Sequence, residues 1–334
     1  MHRYSYYKTA ACTPNVSIGD PQANKEEILN CIQKLDSDTQ LVVFPELCIT
    51  GYTCQDLFYE HTLLNKAKQV LFEIVEELPE NLVTVLGLPL EIDNKLYNCA
   101  AICFNHDILG IQVKTYIPSY NEFYETRWFS SASELKENTT FNFKNKKVPV
   151  SNHIVFKDTT TSACLGVEIC EDLWVTIPVS STHALAGANV LCNVSASNEI
   201  ISKANYRRNL VKDQSAKCYA GYVYASAGPT ESSSDLVFSG HNLICENGTI
   251  LSETNTDKII YGQIDLDHLN HDRLHYKTSM QDLFHVNYTT VEFASKPIEE
   301  IEFDRYIDAY PFVPNNQDER ITRCLEILHI QAQG

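Results

Sequence analysis

Short apolar runs alternate along the chain with longer amphipathic stretches. The short runs span about four to eight residues, are rich in β-branched side chains and are almost continuously hydrophobic, which is typical of strands in a buried sheet. They predict strands at residues 41–46, 83–90, 97–104, 108–114, 161–169, 188–195 and 221–227. In residues 242–253, Asn-Gly stands between two apolar arms, which is the strongest local signal for a β-hairpin.

The amphipathic stretches predict helices. In residues 23–35 and 60–78, apolar side chains recur three and four positions apart, as on a helix that packs against a core. Residues 205–219 are more polar and predict a surface helix, while residues 317–331 predict a further amphipathic helix. Strands mixed with helices predict an α/β fold, with two sheets or one twisted sheet and helices on the outer faces.

The pattern of strands fades after residue 290. Residues 291–316 are rich in acidic residues and proline, which is typical of an extended linker. We therefore expect a domain over residues 1–290, a linker over 291–316 and a helix within 317–334.

Composition narrows the classes of function. The chain has 334 residues and a formal net charge of −17, which argues against binding to the phosphate backbone of nucleic acid. No apolar run approaches the ~20 residues of a membrane helix, and the first residues lack the apolar stretch of a signal peptide.

Twelve cysteines are scattered through predicted strands without a Cys-x-x-Cys pair. They predict reduced thiols in a cytoplasmic protein and no structural zinc site.

Three predicted strands end in a reactive side chain: Glu46, Lys114 and Cys170. Open α/β sheets place functional groups at the carboxyl ends of strands, and a carboxylate, an ammonium and a thiol together suit acyl transfer to a cysteine. Each residue also has an ordinary interpretation, as a strand-end cap, a solvated lysine and a buried structural thiol. The acidic residues after Cys170 predict the start of a helix, where backbone amides lower the pKa of a thiol, although Glu171 and Asp172 oppose that effect.

Three segments resemble the blocks of the nitrilase superfamily of carbon–nitrogen hydrolases: VVFPELCITGY (42–52), KTYIPSYNEFYETRWF (114–129) and GVEICEDLW (166–174). Further segments, including NVSASNE and DLVFSGHNLICENG, resemble one branch of it, the glutaminase domains of glutamine-dependent NAD⁺ synthetases. The resemblance covers roughly residues 5–290 and implies a four-layer α-β-β-α sandwich.

The resemblance also implies catalytic roles. It makes Glu46 the general base, Lys114 the cation that stabilises the oxyanion, and Cys170 the nucleophile. Glu125 matches a second glutamate that supports the lysine, although an ion pair with the nearby Arg127 is an alternative.

Contacts with glutamine are implied in the same way. Tyr52, Tyr120 and Ser197 match positions that line the glutamine pocket, with core packing as the alternative for the tyrosines. The backbone N–H of Glu171 is expected to bind the oxyanion. Lys203 stands where some relatives carry an arginine that faces the substrate carboxylate, and a lysine lacks the bidentate fork of arginine.

In the resembled enzymes, ammonia from the glutaminase domain reaches a synthetase domain that uses ATP to amidate deamido-NAD⁺. The Ser-Gly-Gly-x-Asp-Ser phosphate loop of that domain is not in this sequence. We therefore expect no cofactor and no metal in this chain, a synthetase domain or subunit as partner, and a homo-oligomer. Two alternatives stay open: a free-standing amidase for another small amide, and a non-catalytic docking or regulatory domain. The intact Glu46, Lys114 and Cys170 argue against the second alternative.

Overall fold

Strands and helices alternate through the residues that the computed structural model describes, which are 5–254, 258–281, 285–298 and 301–334. The strands found there are β1 (Tyr6–Cys12), β2 (Leu41–Val43), β3 (Val83–Ile92), β4 (Lys95–Phe104), β5 (Asp107–Val113), β6 (Thr140–Phe143), β7 (Lys146–Ser151), β8 (Ile154–Asp158), β9 (Cys164–Ile169), β10 (Val190–Ser195), β11 (Gly221–Ser226), β12 (Leu243–Glu246), β13 (Thr249–Glu253), β14 (Ile259–Asp265) and β15 (Thr289–Phe293). The helices are α1 (Pro21–Gln33), α2 (His61–Glu77), α3 (Val179–Leu185), α4 (Lys203–Lys217), α5 (Leu266–His275) and α6 (Gln317–Gln333).

The strands form two sheets. The first sheet has the order β14-β1-β2-β3-β4-β5-β7-β6, and the second has the order β13-β12-β11-β10-β9-β8-β15. Strands β1, β2 and β3 are parallel, as are β9, β10 and β11. The strands that precede the reactive residues belong to both sheets, since β2 and β5 lie in the first sheet and β9 lies in the second.

Alternating side chains divide the core into layers. Val42 lies in a buried cluster with apolar residues of α1 and α2, whereas its neighbour Val43 lies in the cluster between the two sheets, together with Val167 of β9. On the far side of the second sheet, Leu191 of β10 packs in a cluster with Val211 of α4. The predicted α-β-β-α sandwich is therefore confirmed.

Every predicted strand is present, but some ends differ. The strand predicted at 41–46 ends at Val43, because Pro45 has no N–H for a ladder and the chain turns at Glu46. At this turn Gly87 of β3 comes so close that an added Cβ would lie 2.4 Å from the backbone nitrogen of Leu47. The hairpin forms as β12 and β13, with Asn247 and Gly248 both at positive φ.

Several elements were not predicted: β1, β6, β7, β8, β14, β15 and the short helices α3 and α5. Polar residues interrupt their hydrophobic pattern. In β1, for example, Lys8 is 2% exposed and its ammonium lies 2.8 Å from carboxylate oxygens of both Asp36 and Asp38. An ion pair between a buried lysine and residues distant in sequence is not visible in local periodicity.

The chain divides into two units, residues 1–302 and 303–334. Strand β15 lies across the expected boundary at residue 290 and pairs in parallel with β8. Residues 299 and 300 of the expected linker lie outside the described residues. The second unit contains α6, whose first turn is capped by the side chain of Asn316.

Two further features bear on the expectations from composition. All twelve cysteines are free thiols. Across the described ranges, the structure contains no helix with the length and hydrophobicity needed to span a bilayer.

Candidate active site

The three reactive side chains predicted at strand ends are all buried. Lys114 directly follows β5 and Cys170 directly follows β9, while Glu46 lies in the turn after β2. The exposed fractions are 0% for Glu46 and Lys114 and 7% for Cys170. Charged side chains are almost never fully buried unless they are paired, so this site depends on its internal partners.

Lys114 is held between two carboxylates. Its Nζ lies 2.6 Å from Oε1 of Glu46 and 2.8 Å from each carboxylate oxygen of Glu125. The carboxylates raise the pKa of the lysine well above its ordinary value despite the opposing effect of burial. The ammonium therefore stays charged within the protein.

The carboxylate of Glu46 has two more donors. Asn98 Nδ2 donates to Oε1 at 2.7 Å, and the backbone N–H of Ala196 donates to Oε2 at 2.9 Å. Antiparallel pairing of β4 with β5 places Asn98 beside Lys114, whose N–H donates to the carbonyl oxygen of Asn98 at 2.9 Å. A carboxylate offers about four acceptor positions, so these three donors leave one position on Oε2 open to take a proton.

Glu125 is fixed from its other side by Tyr52, whose hydroxyl donates to Oε1 at 2.7 Å. Burial raises the pKa of Glu125, and Lys114 acts in the opposite direction. The alternative pairing of Glu125 with Arg127 is wrong, since Arg127 Nε donates instead to Asp56 at 2.7 Å.

Cys170 sits on a turn in an uncommon backbone conformation, with φ of 45°. Its N–H donates to Oδ1 of Asn193 at 3.3 Å, and Asn193 is oriented by Tyr222 and the buried Glu168. A short 3₁₀ turn follows over Cys170–Leu173. The expectation that a helix start lowers the thiol pKa is wrong here, because burial and the charge of Glu46 raise the pKa of Cys170, opposed by Lys114.

Asp172 joins the turn of Cys170 to the loop after Lys114. Its Oδ1 accepts the N–H groups of Thr115 and Tyr116 at 3.1 and 2.9 Å, and its Oδ2 accepts the N–H of Ile169 at 3.1 Å. Burial raises the pKa of Asp172 to about 8, while the N–H donors of Tyr116 and Ile169 act in the opposite direction. This carboxyl group fixes the two reactive loops relative to each other.

The predicted substrate contacts fall into two groups. Tyr52 and Glu125 line a pocket together with Phe123 and Leu236. Tyr120 is 50% exposed, so core packing does not explain it, and its hydroxyl donates to the Glu171 carboxylate at 2.9 Å.

Ser197 and Lys203 form the second group. The Ser197 hydroxyl accepts hydrogen bonds from the fully buried Arg207 at 3.2 and 3.3 Å. The Lys203 ammonium hydrogen-bonds Asn198 and lies 5.1 Å from the ring centroid of Trp174. Burial lowers the pKa of Lys203, whereas Cys170 acts in the opposite direction.

Sequence reasoning missed Asn98, Glu168, Asn193, Arg207 and Glu231, all of which are buried around the reactive residues. A usable signal was present for three of them. Asn98, Glu168 and Asn193 are polar residues inside otherwise apolar strands, where a buried polar group needs a partner.

Among the described residues, no cluster of three or more histidine, cysteine, aspartate or glutamate side chains could hold a metal ion.

Comparisons with known proteins identify the family of this chain. The family of carbon–nitrogen hydrolases matches residues 8–273. The glutamine-dependent NAD(+) synthetase of Mycobacterium tuberculosis (strain H37Rv) is 34% identical over 346 residues, which cover 100% of this chain and 51% of that protein. The chain thus spans about half the length of this relative.

Solved structures show the same fold. A glutamine-dependent NAD(+) synthetase from Cytophaga hutchinsonii superposes with a TM-score of 0.68 at 28% identity, over 78% of this chain and 43% of that one. Nit3 of Saccharomyces cerevisiae, a member of the nitrilase superfamily, superposes with a TM-score of 0.62 at 20% identity, over 81% of this chain and 94% of that one.

The double-sheet sandwich and the buried cluster of carboxylates, lysine and thiol define an enzyme of the nitrilase type. The match over most of the chain identifies the family: this protein belongs to the carbon–nitrogen hydrolases.

Proposed function

We propose that this chain is a glutamine amidohydrolase that releases ammonia through a thioester on Cys170. The observation that carries the proposal is the buried Lys114 ammonium, held at 2.6–2.8 Å between Glu46 and Glu125. The charges of all three residues act on the pKa of the Cys170 thiol. The names of the relatives in Mycobacterium and Cytophaga, both glutamine-dependent synthetases, support glutamine as the substrate.

The first step of the proposed reaction transfers the thiol proton of Cys170 to Glu46. The thiol is neutral in the resting site, because burial raises its pKa. As Cys170 attacks the side-chain amide carbon of glutamine, Glu46 takes the thiol proton at the open position on Oε2. Lys114 and the backbone N–H of Glu171 stabilise the oxyanion, a contribution that is typically worth about 10²–10³ in rate for one donor.

The tetrahedral intermediate then collapses. Glu46 returns its proton to the departing nitrogen, the carbon–nitrogen bond breaks, and ammonia leaves behind a γ-glutamyl thioester. Glu46 next takes a proton from water, which attacks the thioester carbon. The carbon–sulfur bond then breaks, Glu46 returns that proton to the sulfur of Cys170, and glutamate leaves the regenerated thiol and carboxylate. Glu125 takes no proton in this scheme, since its role is to hold Lys114 and keep it charged.

Lys203 is proposed to bind the α-carboxylate of glutamine. Its ammonium lies above Trp174 and Phe123, with centroid distances of 5.1 and 5.7 Å, and Cys170 opposes the effect of burial on its pKa. We further propose that the released ammonia serves the amidation of deamido-NAD⁺ by a synthetase domain or subunit that binds ATP. The cytoplasmic location and the homo-oligomer stay predictions, the former supported by twelve free thiols.

The test is ammonia release from glutamine by the purified chain and by a Cys170→Ala variant. Asparagine and simple aliphatic amides are tested separately as alternative substrates. Release from glutamine that disappears in the variant supports the proposal. Turnover of simple amides in place of glutamine would favour a general amidase, and release that persists in the variant would contradict the role of Cys170.

A further inference from the structure

Glu231 is a buried carboxyl group that the proposed reaction does not use. It ends a short turn over Pro229–Glu231 and is 0% exposed. Its Oε2 accepts the backbone N–H of Tyr52 at 2.5 Å, and its carbonyl oxygen accepts the hydroxyl of Thr53 at 3.0 Å. Its Oε1 is buried and has no hydrogen-bond partner among the described residues.

These contacts place Glu231 at the start of a chain that leads to the reactive lysine. The residue it binds, Tyr52, donates its hydroxyl to Glu125 at 2.7 Å, and Glu125 in turn accepts from Lys114 at 2.8 Å. Glu231 therefore fixes the backbone of the residue whose side chain fixes the second carboxylate of the cluster.

The surroundings of Glu231 suit a neutral acid. The titratable groups that interact electrostatically with Glu231 are Glu46, Cys48 and Cys54. Burial raises the pKa of both thiols, to about 12 for Cys54. Glu46 is anionic in the proposed reaction, and no cation is among these groups. Burial and Glu46 together raise the pKa of Glu231 to about 8, opposed by the Tyr52 N–H.

We propose that Glu231 is a positioning residue that acts as an uncharged carboxylic acid, holding Tyr52 and through it Glu125 and Lys114 in place for the reaction. The inference rests on the proposed function. When Glu231 ionises, its carboxylate has no cation to pair with. A buried carboxylate without a partner is costly, so the side chain must become exposed to water. Reaching water requires the turn at 229–231 to move, and the segment that holds Tyr52 moves with it.

The experiment compares Glu231→Gln, which keeps a neutral acceptor for the Tyr52 N–H, with Glu231→Leu, which has no acceptor. A control variant, Glu134→Gln, removes an exposed carboxylate that pairs with Lys95. Steady-state glutamine hydrolysis is measured for each protein from about pH 6 to about pH 9.5.

For the wild type and the Glu134 variant, we expect kcat to fall as the pH rises through about 8. The Glu231→Gln variant should keep kcat within a few fold at neutral pH and lose this decline. The Glu231→Leu variant should lose roughly tenfold or more of kcat, because a buried N–H is left without an acceptor. A Gln variant that keeps the alkaline decline, or that is as slow as the Leu variant at neutral pH, would overturn the inference.

A second measurement does not depend on glutamine hydrolysis. A carboxyl group whose pKa is higher in the folded than in the unfolded protein stabilises the fold most at low pH, and this contribution is lost as pH rises towards the folded value. The thermal midpoint of the wild type should therefore fall relative to that of Glu231→Gln between about pH 5 and about pH 8. If glutamine is not hydrolysed but this difference appears, the proposed function fails while the neutral state of Glu231 stands. Parallel midpoints would refute that neutral state.

Discussion

Asp172 connects the turn of Cys170 to the loop after Lys114, and an Asp172→Asn variant tests whether its carboxyl group maintains the site. The carboxyl group accepts three backbone N–H groups, two on Oδ1 and one on Oδ2. A carboxamide has the same shape but a single acceptor oxygen. When that oxygen accepts from Thr115 and Tyr116, the NH₂ group faces the N–H of Ile169 at the 3.1 Å now spanned by a hydrogen bond.

The expected cost follows from this loss. The buried N–H of Ile169 is then left without a partner, which costs about 1–3 kcal/mol. We expect the free energy of unfolding to fall by about 2–3 kcal/mol. Because the turn that holds Cys170 loses the hydrogen bond from the N–H of Ile169, kcat should fall by about 10²-fold, as misplacement of reacting groups by about 1 Å typically does.

Urea unfolding at neutral pH measures the first quantity, and glutamine hydrolysis measures the second. Asp213→Asn on the exposed face of α4 is the matched control, with an expected change within about 0.5 kcal/mol. An Asp172→Asn protein as stable and as active as this control would refute the role of the carboxyl group.

Two further predictions concern the contacts of the cluster and of the substrate. Tyr52→Phe removes the 2.7 Å hydrogen bond to Glu125, so the free energy of unfolding should fall by about 1 kcal/mol. In glutamine hydrolysis, kcat should fall with little change in KM, and an unchanged kcat would count against the contact. Lys203→Met removes the proposed partner of the α-carboxylate, so KM for glutamine should rise by about tenfold or more while Lys203→Arg restores it; an equal effect on a simple amide, which has no α-carboxylate, would argue against this role.

The residues at strand ends could be predicted because the rule that places them is local. The apolar runs before Glu46, Lys114 and Cys170 are short and continuous, and α/β folds place functional groups at the carboxyl ends of such strands. The partners of these residues could not be predicted in the same way, because they come from distant parts of the chain. Asn98 is 52 positions from Glu46, and the N–H of Ala196 is 150 positions away.

Electrostatics was the least predictable property. The sequence around Cys170 indicates a helix start and a lowered thiol pKa, but depth of burial decides the direction, and burial depends on the packing of both sheets. Glu231 shows the same limit, since its contact with Tyr52 spans 179 positions. Within its own segment, Glu231 is indistinguishable from a solvated acidic residue.

The central claim is that Cys170 attacks the glutamine amide and carries the acyl group, and trapping that intermediate tests it most directly. The chain is mixed with glutamine, quenched in acid within the turnover time, digested and mapped by mass spectrometry. We predict a γ-glutamyl adduct on the peptide of Cys170 and none on the exposed thiol of Cys324. Two outcomes would contradict the account. One is ammonia release by a Cys170→Ala variant that carries no adduct, and the other is an adduct on another cysteine.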